Sequence, residues 1–293
     1  MCNFYSCIVD RKLNILDAIE LDDSHETIIT NLKLKDNKLK DRDIVRLEIT
    51  PDIEKLTKKF DKKIWTYKVD EEKTLPDWYT KNEKKIQSKI FDRIHDVICQ
   101  KYILVDKEIE NSTNRISICK NATIGQLYHN IGIMWWSSQV KEMWESSQVG
   151  IMRGSSQVGI MWGSSQVGIM WGSSQVGIMR ESSQVGIMRE FSQVKEMRGS
   201  SQVGIMRGSS QVKEMWESSQ VKEMWESSQV KEMWESSQVK EMWESSQVKE
   251  MRGSSQVTTY NDPKNIKKQN GGNTVIIDRS GDKVGDKVKV KIG

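Results

Sequence analysis

No run of about 18 apolar residues occurs in this 293-residue chain, so it carries no membrane-spanning helix. The opening Met1-Cys2-Asn3-Phe4-Tyr5-Ser6 lacks the basic stretch and the long apolar stretch of a secretion signal. The cysteines Cys2, Cys7, Cys99 and Cys119 include no CxxC pair and read as reduced thiols of a cytoplasmic protein. No aspartate stands between Asp106 and Asp262, which rules out a calcium-binding nonapeptide roll with its Gly-Gly-x-Gly-x-Asp ligands. His25, His95 and His129 are scattered, with neither H-x-x-x-H nor a Cys/His cluster, so no metal site is expected. No Gly-rich loop precedes a helix (Gly271-Gly272 reads as a turn), and no cofactor is expected. One-sided charge is also lacking: 45 basic and 41 acidic residues leave +4, too balanced for nucleic-acid binding by bulk field alone. Proline (3), phenylalanine (4) and tyrosine (6) are scarce beside 15 methionines and 11 tryptophans. Such a surplus of two residue types marks a repeat rather than a diversified core.

The repeat is there. From Ser137 the chain cycles through Ser-Ser-Gln-Val-x-x-Met-(Trp/Arg)-(Glu/Gly) with a step of nine, which places 14 valines in register from Val140 to Val257. Asn121-Ala122-Thr123-Ile124 with Leu127 reads as a divergent first unit, and Asn130–Trp136 as a second one shortened by two residues. At about 100° per residue, each nine-residue helical unit would face opposite its predecessor, leaving no apolar stripe. The Lys-Glu-Met-Trp-Glu units could be helical in isolation, but strand-turn units with two strands per coil fit the period better. Strands about 4.8 Å apart then give roughly eight coils and a rod on the order of 37 Å.

Inside and outside are legible from the substitutions. The pair after valine is Lys-Glu in seven units and Gly-Ile in six, always switching together. The position after methionine is Trp or Arg, and the next is Glu or Gly. A site that accepts Glu or Ile, or Trp or Arg, is not packed. Fixed Val and Met, with the second Ser, form the inward set. Val and Met lie three apart, so the chain must turn a corner between them. Four units within 209–244 are identical, so recent duplication also contributes to the invariance. Identical strands in register leave both ends needing caps.

Three domains are expected: a small α/β N-terminal capping or interaction domain (1–111), the β-solenoid (112–257), and a loop with a C-terminal β cap (258–293). In the first, Asn3–Asp10, Ile44–Thr50 and Ile64–Val69 read as strands. Asp23 with Glu26 signals a capping box opening a short helix through Leu34. Pro76 opens a longer helix whose Ile86, Ile90, Ile94, Val97 and Ile98 form a stripe. Arg115–Cys119 reads as a lead into the solenoid, and 274–277 and 287–292 as the strands of the C-terminal cap. Asp22, Asp23 and His25 read as helix capping and a solvated turn rather than an acid/base group. His95 reads as a helix-surface residue, and Cys2 and Cys7 as core thiols on opposite faces of one strand.

Met1-Cys2-Asn3-Phe4-Tyr5-Ser6-Cys7-Ile8-Val9, Val45-Arg46-Leu47-Glu48-Ile49-Thr50-Pro51 and Leu75-Pro76-Asp77-Trp78-Tyr79 resemble an uncharacterised family from gut phages and their bacterial hosts. So does Tyr67-Lys68-Val69-Asp70-Glu71-Glu72. Members of that family join such a domain to tandem Asn-Ala-Thr-Ile-x-x-Val nonapeptides, expected to form a β-solenoid. Asn121-Ala122-Thr123-Ile124 matches that unit directly, whereas from Ser137 the spacing persists with different letters. The resemblance implies the fold and brings no activity or catalytic residues.

The one unusual outward column follows methionine: Trp144, Arg153, Trp162, Trp171, Arg180, Arg189, Arg198, Arg207, Trp216, Trp225, Trp234, Trp243 and Arg252. Two readings stand. The flat side chains stack on their own neighbours, or they hold bases, sugars or a partner protein by stacking and cation–π contacts. Charge divides along the array, with net +3 over 146–208 (five Arg and one Lys against three Glu) and net −4 over 209–244 (four Lys against eight Glu). This asymmetry either orients a partner or is a solvated charge ladder. The expected protein is a mainly β, non-enzymatic, cytoplasmic interaction or structural solenoid, phage-related by the resemblance. A protein partner is expected, with nucleic acid or glycan as alternatives, self-association through the solenoid ends, and a cryptic activity in 1–111 as the exception.

Overall fold

The computed structural model describes residues 5–18, 24–34, 43–70, 75–112, 114–260, 262–270, 273–280 and 289–292. The chain forms two compact units, Met1–Val105 and Asp106–Gly293. The division falls ahead of the expected boundary at 111/112, because Glu108–Ser112 is already a coil strand paired in parallel with Thr123–Leu127.

In the first unit, β1 (Tyr5–Asp10), β2 (Ile15–Leu16), β3 (Ile44–Pro51) and β4 (Trp65–Val69) form an antiparallel sheet in the order β2-β1-β3-β4. Strand β3 alternates as a one-faced strand should: Val45, Leu47 and Ile49 are buried while Arg46 and Glu48 reach outward. Helix α1 (His25–Asn31) brings Ile28 onto Ile8 and Ile44. Its cap is Ser24, whose Oγ accepts from the Thr27 N–H at 3.1 Å. The capping residue is thus one later than expected, and Asp22 and Asp23 lie outside the described residues. Helix α2 (Asp77–Arg93) starts after Pro76 and runs into a π turn at Ile94–Ile98. Ile86, Ile90, Ile94 and Ile98 are all fully buried. A step of four overshoots an α-helical turn and falls short of a π turn, so the π segment reverses the drift of the stripe.

The second unit is a β-solenoid of about 10 turns. Each nine-residue unit supplies one strand of sequence Gln-Val-x-x-Met, and successive strands alternate between two parallel sheets. Gln139–Met143 pairs with Gln157–Met161, and Gln148–Met152 with Gln166–Met170, so valine stacks on valine and methionine on methionine at a step of two units. Two units per coil is the observed arrangement. Every repeat valine and methionine is at most 1 % exposed, and so are nearly all the second serines. Full burial contributes roughly 1.5–3 kcal/mol for each such Val or Met.

The corner between Val and Met is visible in the register. Gln139, Val140, Glu142 and Met143 have partners in the next coil, whereas Lys141 is skipped. Residues 141 and 142 both reach outward, which returns methionine to the interior three positions after valine. Each strand from Asn130–Trp135 to Gln247–Met251 ends in a turn whose first central residue has positive φ, as in Glu145 (57°) and Gly154 (67°). The alternation of Glu with Gly marks this left-handed position.

The array is deeper than the roughly eight coils expected. Glu108–Ser112 and Ile116–Lys120 form a first coil, so Arg115–Cys119 enters as a solenoid strand rather than a lead. The two-residue shortening is absorbed by the turn at Tyr128–His129, and Asn130–Trp135 pairs in register with Gln148–Met152. At the far end Ile266 and Gln269 bridge to Val248 and Met251 and cover one sheet. The other sheet continues into Val275–Asp278, parallel to Gln256–Thr259, and then antiparallel Lys289–Ile292.

Candidate interaction surface on the edge ladders

Because alternate units fall on opposite sheets, the outward column of the sequence becomes two ladders, one along each edge of the coil. The first contains Trp144, Trp162, Arg180, Arg198, Trp216, Trp234 and Arg252. The second contains Arg153, Trp171, Arg189, Arg207, Trp225 and Trp243, extended by Trp135 at one end and by Tyr260 and Arg279 at the other. Reading one column missed this division, although two units per coil implies it.

Within each ladder the flat groups stack on one another. On the first edge Trp144 lies on Trp162 with centroids 5.4 Å apart, and Trp216 on Trp234 at 4.8 Å. Arg180 covers the other face of Trp162 at 4.6 Å, and Arg252 the other face of Trp234 at 4.3 Å. On the second edge Arg153 lies over Trp135 at 5.1 Å and Arg189 over Trp171 at 4.6 Å. Arg207, Trp225, Trp243, Tyr260 and Arg279 then follow in one continuous stack, with Trp243 and Tyr260 at 4.0 Å and 4°. Stacked aromatic pairs contribute about 0.5–1.5 kcal/mol beyond area burial. The geometry thus shows flat side chains stacked on their own neighbours along both edges.

Glutamates two positions earlier complete the ladders in the Lys-Glu units. Trp144, Trp216, Trp225 and Trp243 donate Nε1–H to Glu142, Glu214, Glu223 and Glu241 at 2.9–3.1 Å. Arg198 and Arg252 pair with Glu196 and Glu250. Where the pair is Gly-Ile, the partner is missing: Trp162 Nε1, Arg180 Nε and Arg189 Nε are buried without a hydrogen bond. Trp234 Nε1 is unpaired as well, despite Glu232. At the end of the array, Arg252, Asn270 and Lys268 around Glu250 hold its carboxyl below the ordinary carboxylate range, the hydrogen bond from Arg252 dominating.

The first unit holds a different polar cluster. Asp17, with its side chain only 6 % exposed, receives two hydrogen bonds from Arg93 (2.5 and 3.0 Å) and one from Tyr5 Oη (2.6 Å). Cys7 lies fully buried nearby, and burial pushes its thiol far above the ordinary range, so it stays protonated at neutral pH. Cys7 is thus a core thiol, and Cys2 lies outside the described residues. Burial raises the Cys119 thiol to about 11.

His25 departs from the expectation of a solvated turn. It is 5 % exposed, with Nε2 3.1 Å from the Leu47 carbonyl and Nδ1 3.4 Å from Asp70 Oδ2. The nearby helix start drew attention to capping, while the sheet that covers the ring is distant in sequence. His95 is on the helix surface as expected, with Nδ1 2.6 Å from Asp96 Oδ1 and its ring beside Phe60.

Among the described residues no group of three His, Cys, Asp or Glu side chains could hold a metal ion. No described helix is long and apolar enough to cross a membrane. No family model, curated protein or solved structure matches this chain.

Proposed function

We propose that this protein is a non-enzymatic structural or interaction module, phage-related by its resemblance, that offers its edge ladders and its N-terminal unit to a macromolecular partner. The observation that carries the reading is the ordered stacking along both edges. Trp and Arg dominate protein-binding hot spots, and groups already held by their neighbours lose little freedom on contact. A protein partner fits better than bases or sugars taken by stacking. Both faces of Trp162, Trp225, Trp234 and Trp243 are already covered, so these rings present only edges.

The test is affinity capture from a host lysate, comparing the full chain with one carrying Trp171→Arg, Arg198→Trp and Trp225→Arg. Each ladder position already accepts both residues along the array, and circular dichroism of the two chains checks that the exchange keeps the fold. One partner held by the original chain and lost by the exchanged chain is expected. Recovery of the same proteins in equal amounts by both would overturn the ladder as the contact surface.

A further inference from the structure

Near the middle of the array both edges carry the same four steps, Trp-Arg-Arg-Trp. They are Trp162, Arg180, Arg198 and Trp216 on one edge, and Trp171, Arg189, Arg207 and Trp225 on the other. Two guanidiniums one strand apart, about 4.8 Å, repel each other. On the first edge Glu196 answers Arg198. On the second edge the positions equivalent to Glu196 are Ile187 and Ile205, stacked on each other.

Arg189 and Arg207 therefore have no ion pair among the described residues. Their contacts are with rings: Arg189 lies over Trp171 and Arg207 over Trp225, at 4.6 and 5.8 Å. Arg189 Nε is buried with no acceptor. The nearby carboxylates are turned elsewhere, since Glu190 accepts the Gly172 N–H at 2.9 Å and Glu223 accepts Trp225 Nε1–H at 2.9 Å.

A second irregularity lies in the same turn. The first serine of the repeat is replaced once, by Phe191, two residues after Arg189, and that ring is 64 % exposed. No described ring or cation stacks on it, unlike the ladder tryptophans.

We propose that Arg189, Arg207 and Phe191 form a binding site for a nucleoside monophosphate, the phosphate held by the two arginines and the base resting on the phenyl face. A phosphate dianion matches the charge of two guanidiniums. Its tetrahedral oxygens can receive N–H groups from both forks, which the two oxygens of one carboxylate do less well. Each guanidinium has one face against a tryptophan, and neither has a carboxylate partner among the described residues. Phe191 supplies an exposed aromatic ring on which no described ring or cation stacks. The site goes beyond the reading of the edges as macromolecular contact surfaces and does not depend on it.

Isothermal titration of the full chain with inorganic phosphate, and separately with adenosine monophosphate, tests it. Saturable binding of both is expected, the nucleotide about tenfold tighter through stacking. Phe191→Ser restores the repeat consensus. It should lower nucleotide affinity to the level of phosphate and leave phosphate binding unchanged. Arg207→Trp, also a residue the ladder accepts, should abolish both. Arg153→Trp should change neither. No saturable binding of phosphate, equal binding by the Arg207→Trp chain, or a nucleotide affinity indifferent to Phe191→Ser would each overturn the site. These probes involve no macromolecule, so their failure leaves the capture experiment standing, and failed capture leaves the titration standing.

Discussion

In the Gly-Ile coils spanning Val158–Met188 and the Lys-Glu coils spanning Val212–Met251, valine lies over valine and methionine over methionine in one register. The interiors are alike. The outer faces differ in charge, in the hydrogen bonding of the ladder and in the space beside the backbone. Lys-Glu coils stack Glu214 on Glu232 and Glu232 on Glu250, a like-charge column that ladder Trp and Arg donors partly answer. Gly-Ile coils have no such column and leave ladder N–H groups unpaired. The difference shows that the coil depends on three inward positions, while the outer ones can change chemistry without disturbing register.

The largest expected effect comes from breaking the shared interior. Val176→Asp places an unpaired carboxylate where the valine is fully buried, and should cost on the order of 4 kcal/mol or more. Trp171→Arg exchanges one ladder group for another and should stay within about 1 kcal/mol. Denaturant unfolding of the two chains compares them directly. Equal losses would erase the inward/outward distinction.

The next substitution probes why Gly-Ile and Lys-Glu always switch together. A Cβ at Gly168 would lie 2.5 Å from the Gly150 carbonyl oxygen, so the backbone of one coil must shift to admit a side chain. Gly168→Lys should therefore cost about 1–3 kcal/mol, the range for overpacking. Lys222→Gly, in a coil already spaced for a side chain, should cost less than about 1 kcal/mol. A shift of the denaturation midpoint that is the same for both would remove the steric basis of the paired switch.

Much of this architecture was legible because the period and the tolerated substitutions are local properties. A step of nine fixed two strands per coil, and invariant Val, Met and second Ser marked the interior. What escaped depends on contacts between distant residues. The burial of His25 under Leu47 and Asp70 needs the sheet to close over it. The first coil at Glu108–Ser112 has neither Val nor Met at the inward positions and reveals itself only by pairing with Thr123–Leu127. The left-handed turn position could have been read from its Glu/Gly alternation. The pairing of ladder Trp and Arg with the glutamate two positions earlier was open to the same inspection, since both residues share one outer face.

A pH titration sharpens the comparison on the Lys-Glu side. Arg252, Asn270 and Lys268 hold the Glu250 carboxyl below its unfolded value. A lowered folded pKa contributes stability above the unfolded carboxyl value, about 4.3, and that contribution is lost as pH falls through the folded value. Glu250→Gln should remove this part of the acid sensitivity, so the two chains should converge in melting temperature at the acid end. Parallel curves down to pH 2 would show that Glu250 carries no such linkage.

The smallest effect is expected at the turns, where two opposing terms meet. Glu226 has φ of 57°, a conformation that costs an L residue about 1–2 kcal/mol and glycine almost nothing. Its carboxylate accepts the Gly208 N–H of the coil below at 2.8 Å, a bond worth about 0.5–1.5 kcal/mol. Glu226 N–H in turn donates to Glu244 at 3.1 Å, so the contacts climb the edge coil by coil. Glu226→Gly relieves the backbone, removes one bond and enlarges the freedom of the unfolded chain, and should stay within about 0.5 kcal/mol of the original. Glu226→Val keeps the strain, loses the bond and should cost at least about 1 kcal/mol. A marked loss with glycine would give the carboxylate the larger share at this position. A marked gain would give it to the backbone, and the array would then tolerate glutamate there for its outward charge rather than for the stability of the coil.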